Sequence, residues 1–132
     1  MILFRSLGKF SLSHLSKLQV AVTQDKMTEA PFTSDLLHIK EKGKFLCVVC
    51  QNDLFKTDDK FDSGSGWPSF FKAINKSVKS CEDFSHGMVR VEVLCDKCDS
   101  HLGHYFPDGP KNSRYCINGC CLTFTPDPDP KL

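Results

Sequence analysis

The chain has 132 residues and a mass of 14.9 kDa, which suits one domain with a modest core. Hydrophobic residues make up 40% and charged residues 25%, so it reads as globular rather than disordered or fibrous. Seventeen bases against sixteen acids give a net charge of +1, which argues against a nucleic-acid partner, and no apolar run approaches the roughly 20 residues that span a bilayer.

Taken in chain order, residues 1–24 contain no acid, three bases (Arg5, Lys9, Lys17) and several serines. Leu3, Leu7, Phe10 and Leu18 fall near one helical face. This predicts a mitochondrial transit peptide over residues 1–26, the alternative being a frayed N-terminus. Translation from Met27 would give a cytoplasmic form without it. The remaining segment, 27–126, reads as one domain.

Phe45 to Val49, Val89 to Val93, Arg114 to Asn118 and Leu122 to Thr125 favour strands, and the second alternates apolar and polar residues with period two. Gly- and Pro-rich turns separate them, among them Ser63 to Gly66 and Phe106 to Pro110. Ser69 to Asn75 is expected to make a short helix. Residues 127–132 are expected to be loose, because the Pro126-Asp127-Pro128-Asp129-Pro130 run cannot join a regular ladder. Short strands with dense turns predict a mainly β domain.

Cysteine, at eight residues, is the unusual part of the composition. Cys47-Val48-Val49-Cys50 and Cys95-Asp96-Lys97-Cys98 are two CxxC pairs separated by 44 residues. Two such turns brought together complete a tetrahedral thiolate shell, which suits one Zn²⁺ ion with no open position and hence a structural role. The alternatives are a pair of disulfides, a redox CxxC, or a site in which His101 replaces one cysteine. The redox motif would need to open a helix in a βαβ setting.

Of the other four cysteines, Cys116 sits between Arg114 and Asn118 at strand spacing, so all three side chains point to one face. A cation and an amide donor beside a thiol are what a nucleophilic cysteine needs to lower its pKa. Upstream, His101 and His104 supply imidazoles that titrate near neutral pH, and Asp108 could orient one of them or Arg114. The alternative for Cys116 is a buried strand cysteine, and for the lone Trp67 a core residue.

Gly66-Trp67-Pro68-Ser69-Phe70, Ser85-His86-Gly87-Met88-Val89, Cys98-Asp99-Ser100-His101-Leu102-Gly103-His104 and Arg114-Tyr115-Cys116-Ile117-Asn118 follow one another in that order. Together with Thr28-Glu29-Ala30-Pro31-Phe32 and the paired knuckles, they resemble the type-B methionine sulfoxide reductases. The resemblance runs from about Thr28 to Phe124. It implies two antiparallel sheets forming a small barrel-like domain, with a structural zinc on Cys47, Cys50, Cys95 and Cys98.

The resemblance also implies an enzyme that repairs methionine-R-sulfoxide in proteins. Cys116 would be the nucleophile that becomes a sulfenic acid, with His101 and His104 as the catalytic histidines. Asn118 would stand near the nucleophile, and Asp108 and Arg114 would tune it. Trp67 would receive the substrate's ε-methyl, and Phe106 either lines the pocket or packs. Thioredoxin or another thiol would be the reductant, and a monomer is expected.

Two departures stand out. Ser65 occupies the place where many members carry a resolving cysteine, and the connection Lys111-Asn112-Ser113 is shorter than usual. Cys81, Cys120 or Cys121 could substitute, or an external thiol could reduce the sulfenic acid directly. Cys120 lies on the same strand face as Cys116, but four residues of undistorted strand would hold the two about 14 Å apart, against the 7 Å or so that a disulfide tolerates.

Overall fold

The computed structural model describes residues 10–128. Residues 1–9, which include Leu3 and Leu7 of the predicted leader, and residues 129–132 of the expected loose tail lie outside them. The first regular element is helix α1 (Lys17–Asp25). Ser16 caps it, accepting from the Gln19 amide while the Gln19 side chain accepts from the Ser16 amide, a reciprocal pair that satisfies two donors the helix start leaves open. Val22 and Thr23 are fully buried, and Leu12 and Leu15 also pack against the core. This part of the segment read as a leader is therefore inside the folded unit, which begins ahead of the boundary drawn at residue 27.

Nine strands follow: β1 (Gly43–Cys47), β2 (Asp53–Lys56), β3 (Lys60–Phe61), β4 (Ser69–Phe70), β5 (Val78–Asp83), β6 (Arg90–Cys95), β7 (His101–Phe106), β8 (Arg114–Ile117) and β9 (Leu122–Pro126). They form a three-stranded sheet ordered β2-β1-β9 and a six-stranded sheet ordered β3-β4-β8-β7-β6-β5, with antiparallel pairing throughout. The mainly β, two-sheet expectation holds, but the sheets do not close into a barrel. Phenylalanines fill the space between them. Phe55 stacks on Phe70 with centroids 4.3 Å apart, and Phe45 meets Phe70 edge-on at 5.2 Å; all three are fully buried.

Two local expectations are corrected. Ser69–Phe70 is a strand, not the start of a helix, because both residues are buried and their backbone pairs with β3 on one side and β8 on the other. Tertiary pairing overrides local helix propensity here. Pro126 does join a ladder, opposite Gly43 at the end of β9, and the next amide, that of Asp127, donates to the Lys42 carbonyl.

What matters most for the site is register. Ser69 pairs with Cys116, Cys116 with His104, His104 with Glu92, and Glu92 with Cys81. Residues directly opposite one another share a face, so one row of polar side chains runs across β4, β8, β7, β6 and β5. Gly103 allows β7 and β8 to approach closely beside that row: a Cβ there would collide with the Cys116 carbonyl oxygen and lie 2.9 Å from the Cα of Ile117.

Candidate active site

A cavity of about 120 Å³ opens on this face, bounded by Thr28, Trp67, Arg90, Gly103, His104, Phe106, Cys116 and Asn118. Of the residues singled out from sequence, Trp67, His104, Phe106, Cys116 and Asn118 are brought together around it. His101, Asp108 and Arg114 are not part of its wall.

Cys116 is half-buried at the cavity. Burial pushes its thiol above the ordinary range, and the nearby Ser65 hydroxyl and Arg114 only partly oppose this. The expected lowering by Arg114 therefore does not prevail. That guanidinium is committed elsewhere: Nε donates to Asp108 Oδ1 at 2.8 Å and NH2 to Oδ2 at 3.3 Å, while its carbon lies 4.4 Å from the Phe106 ring centre. Ser65 Oγ stands 3.9 Å from the Cys116 sulfur.

Each histidine is held by a carboxylate. His104 Nε2 lies 2.7 Å from Asp83 Oδ2, and His101 Nδ1 lies 2.7 Å from Glu92 Oε2; both carboxylate side chains are 1% exposed. The two rings meet edge to face at 5.5 Å. His101 is wholly buried behind His104, and its Nε2 has no partner among the described residues. Burial lowers the His104 pKa below the ordinary imidazole value, Asp83 pulls it up, and Arg90 and His101 add to the lowering. Asp83 itself is held well below the usual carboxylate range: burial works upward, but hydrogen bonds from Lys26, His104 and Ser85 outweigh it.

Glu29 organises the opposite wall. Its carbonyl accepts from Trp67 Nε1 at 3.0 Å, fixing the indole, and its amide donates to Asn118 Oδ1 at 3.0 Å. Its buried carboxylate accepts from the amides of Gly119 and Cys120 at 2.7 and 2.9 Å. Asn118 Nδ2 donates to the Leu102 carbonyl, so the Asn118 amide ties the Thr28–Glu29 segment to β7 as well as lining the cavity. Sequence reasoning quoted Glu29 within a motif without a role and did not single out Asp83, Glu92, Arg90 or Lys26. The period-two alternation of Arg90 and Glu92 was the available signal; it marks a polar face, and that face is the site.

The remaining cysteines are also placed. Cys81 is separated from Cys116 by two intervening strands in the same row, or about 14 Å at the ordinary spacing of strands, twice what a disulfide spans. The strand carrying Cys116 ends at Ile117, and Cys120 and Cys121 lie in a 3₁₀ turn, Gly119–Cys121. The turn overturns the placement of Cys120 on the same strand face as Cys116. Cys121 is fully buried, its thiol directed at the His101 carbonyl at 3.3 Å.

Cys47, Cys50, Cys95 and Cys98 bring their sulfurs within 4.8 Å of one another. The Cys47–Cys98 and Cys50–Cys95 separations are both 3.6 Å. A tetrahedron with zinc–sulfur bonds of about 2.3 Å has edges of about 3.8 Å, so the four thiols fit such an ion. The two knuckles match in detail: Gln51 and Asp99, each just past the second cysteine, adopt left-handed conformations (φ 66° and 62°) and donate to the carbonyls of Cys47 and Cys95. Cys95 lies five residue steps along β6 from Arg90 at the cavity, or about 16 Å.

The family model described as the SelR domain matches residues 15–126, a span that contains the cavity, both knuckles and α1. The chain therefore belongs to the SelR family, the type-B methionine-R-sulfoxide reductases, oxidoreductases that return methionine-R-sulfoxide to methionine.

Proposed function

We propose that this chain reduces methionine-R-sulfoxide in proteins through attack of the Cys116 sulfur on the sulfoxide sulfur. The attack joins the two sulfurs; the protonated oxygen then passes to Cys116, which becomes a sulfenic acid, as the sulfur–sulfur bond and the substrate's sulfur–oxygen bond both break. The substrate sulfur gains two electrons and Cys116 loses two. The thiol proton passes to His104 and from there to the departing oxygen, so the step needs no outside proton. The observation that carries this reading is the convergence of Cys116, His104, Trp67 and Phe106 on one small cavity. A neutral thiol beside a neutral imidazole is the starting state that such an internal transfer requires, and the two pKa directions support it.

The indole and Phe106 offer an apolar wall to the methyl group, while His104 and Arg90 offer a polar side to the oxygen. With those two sides fixed, the R epimer presents its sulfur to Cys116. Reduction of the sulfenic acid is assigned to an external thiol such as thioredoxin: two thiols yield a disulfide, water and the restored Cys116. Support comes from the distance to Cys81 and the burial of Cys121. One zinc ion on Cys47, Cys50, Cys95 and Cys98 would supply cross-linking between the β1 and β6 turns and no chemistry at the cavity. For location we retain mitochondrial import, with any cleavage placed ahead of Leu12, Leu15 and Val22, since these pack into the domain.

The test is single-turnover chemistry. The full chain, mixed with an R-sulfoxide peptide and no reductant, is expected to release one equivalent of methionine peptide, and Cys116→Ser none. Equal yields from the two proteins, or from the S epimer, would overturn the assignment.

A further inference from the structure

The two carboxylates that hold the histidines share a single ammonium. Lys26 Nζ lies 2.9 Å from Asp83 Oδ1 and 3.3 Å from Glu92 Oε1, while the other oxygen of each carboxylate faces His104 and His101 respectively. Lys26 is the residue that ends α1, in a left-handed conformation (φ 61°). Because α1 is anchored through fully buried Val22 and Thr23, the ammonium is delivered by a packed element rather than by a loose tail.

The consequence is electrostatic. Two carboxylates taken out of water must be neutralised. Where fixed cations do not supply enough charge, the imidazole hydrogen-bonded to Asp83 is the neighbouring group that can make it up by taking a proton. An imidazolium cannot then accept the Cys116 proton.

We propose that Lys26 is a positioning residue for the reaction: bonded to both Asp83 and Glu92 from the end of α1, with Arg90 beside Asp83, it leaves His104 oriented by its carboxylate yet uncharged. This rests on the reading of His104 as the proton acceptor. The groups that face His104 are Asp83 from β5, Arg90 and Glu92 from β6, His101 from its own strand, Cys116 from β8, and Lys26. Arg90 adds a longer contact to Asp83, at 3.4 Å, beside the 2.9 Å bond from Lys26. Burial works against the Lys26 charge, but the bonds to Asp83 and Glu92 outweigh it and raise its pKa.

The test compares full-length wild type, Lys26→Met and Lys26→Arg in single-turnover methionine formation from about pH 5 to about pH 9, with NMR titration of the imidazoles alongside. In Lys26→Met the acid limb of the rate and the His104 titration are both expected to move up by about one pH unit. The rate on the alkaline plateau should stay within about twofold of wild type, and Lys26→Arg should restore the wild-type limb. If Lys26→Met fails to fold, Lys26→Gln, which keeps a donor but no charge, takes its place with the same shift required. Unmoved limbs and titrations, or a rate lowered equally at every pH, would overturn the role. A wild type that forms no methionine would instead overturn the reductase chemistry, and the His104 titration would still report on Lys26.

Discussion

Ser65→Cys is the most informative single change at this site. Ser65 Oγ is 3.9 Å from the Cys116 sulfur, across a sequence separation of 51 residues. The hydroxyl also bonds Ser63 at 2.8 Å, so the side chain already points toward the nucleophile. A longer carbon–sulfur bond at this position brings the introduced thiol within reach of a sulfenic acid on Cys116. Closing a loop of that length removes about 14 cal/mol/K from the unfolded chain, or about 4 kcal/mol at 25 °C as an upper bound. For a domain of this size, that corresponds to a melting temperature up to roughly 15 °C higher for the oxidised variant than for its reduced form. The assay is one equivalent of R-sulfoxide peptide without reductant, followed by thiol counting, peptide mapping and a thermal scan. Wild type is expected to lose one thiol per methionine formed and the variant two, with a mapped link between the new cysteine and Cys116. A variant that makes methionine at the wild-type rate yet forms no link would refute the geometry argued for this turn.

Three further changes probe separate parts of the molecule. Cys95→Ser should lower bound zinc from about one ion per chain to near none and reduce the melting temperature sharply, since structural zinc contributes directly to folding; metal analysis and a melt check this, and an unchanged melt would count against the cross-linking role. Asp83→Ala leaves Lys26, Arg90 and His104 facing one another without their shared carboxylate, at a cost of about 3 kcal/mol near neutral pH. Because the folded Asp83 carboxyl is held well below its ordinary value, its contribution is complete above the usual carboxylate range and lost as pH falls through the folded value. Denaturant curves for wild type and variant should therefore converge in strong acid, and a constant gap would refute the linkage. Trp67→Phe keeps an apolar wall but loses the bond from Nε1 to the Glu29 carbonyl; KM should rise roughly tenfold with kcat nearly unchanged, and a fall in kcat alone would contradict a binding role.

Much of this site was legible in sequence because its chemistry is local. The knuckles declare themselves by spacing, and Cys116 and Asn118 reach the same cavity because they are two apart on and just past one strand. The supporting shell was not legible. Glu92 looks like an ordinary polar position on an alternating strand, and such alternation assigns the polar face to solvent, while Asp83 closes the polar run Lys79-Ser80-Cys81-Glu82-Asp83, which reads as a loop. Here that face is covered by α1 and the Thr28–Glu29 segment, and both carboxylates end 1% exposed. Only the register of three strands, β5, β6 and β7, set by long-range pairing, shows that each acid meets a histidine.

The N-terminal segment was read by composition, and two physical demands bear on it. An import leader must be basic, free of acid and amphipathic. The folded domain constrains one position at the end of α1: an acid in place of Lys26 would face Asp83 and Glu92, which Lys26 now bonds, whereas the last helical residue, Asp25, is itself an acid. What separates the demands is the apolar side: a leader needs only an apolar stripe, whereas α1 sends Val22 and Thr23 fully into the domain. Burial of Val22 and Thr23 and the two bonds of Lys26 are thus what the domain asks of this helix, whatever else the residues ahead of it do.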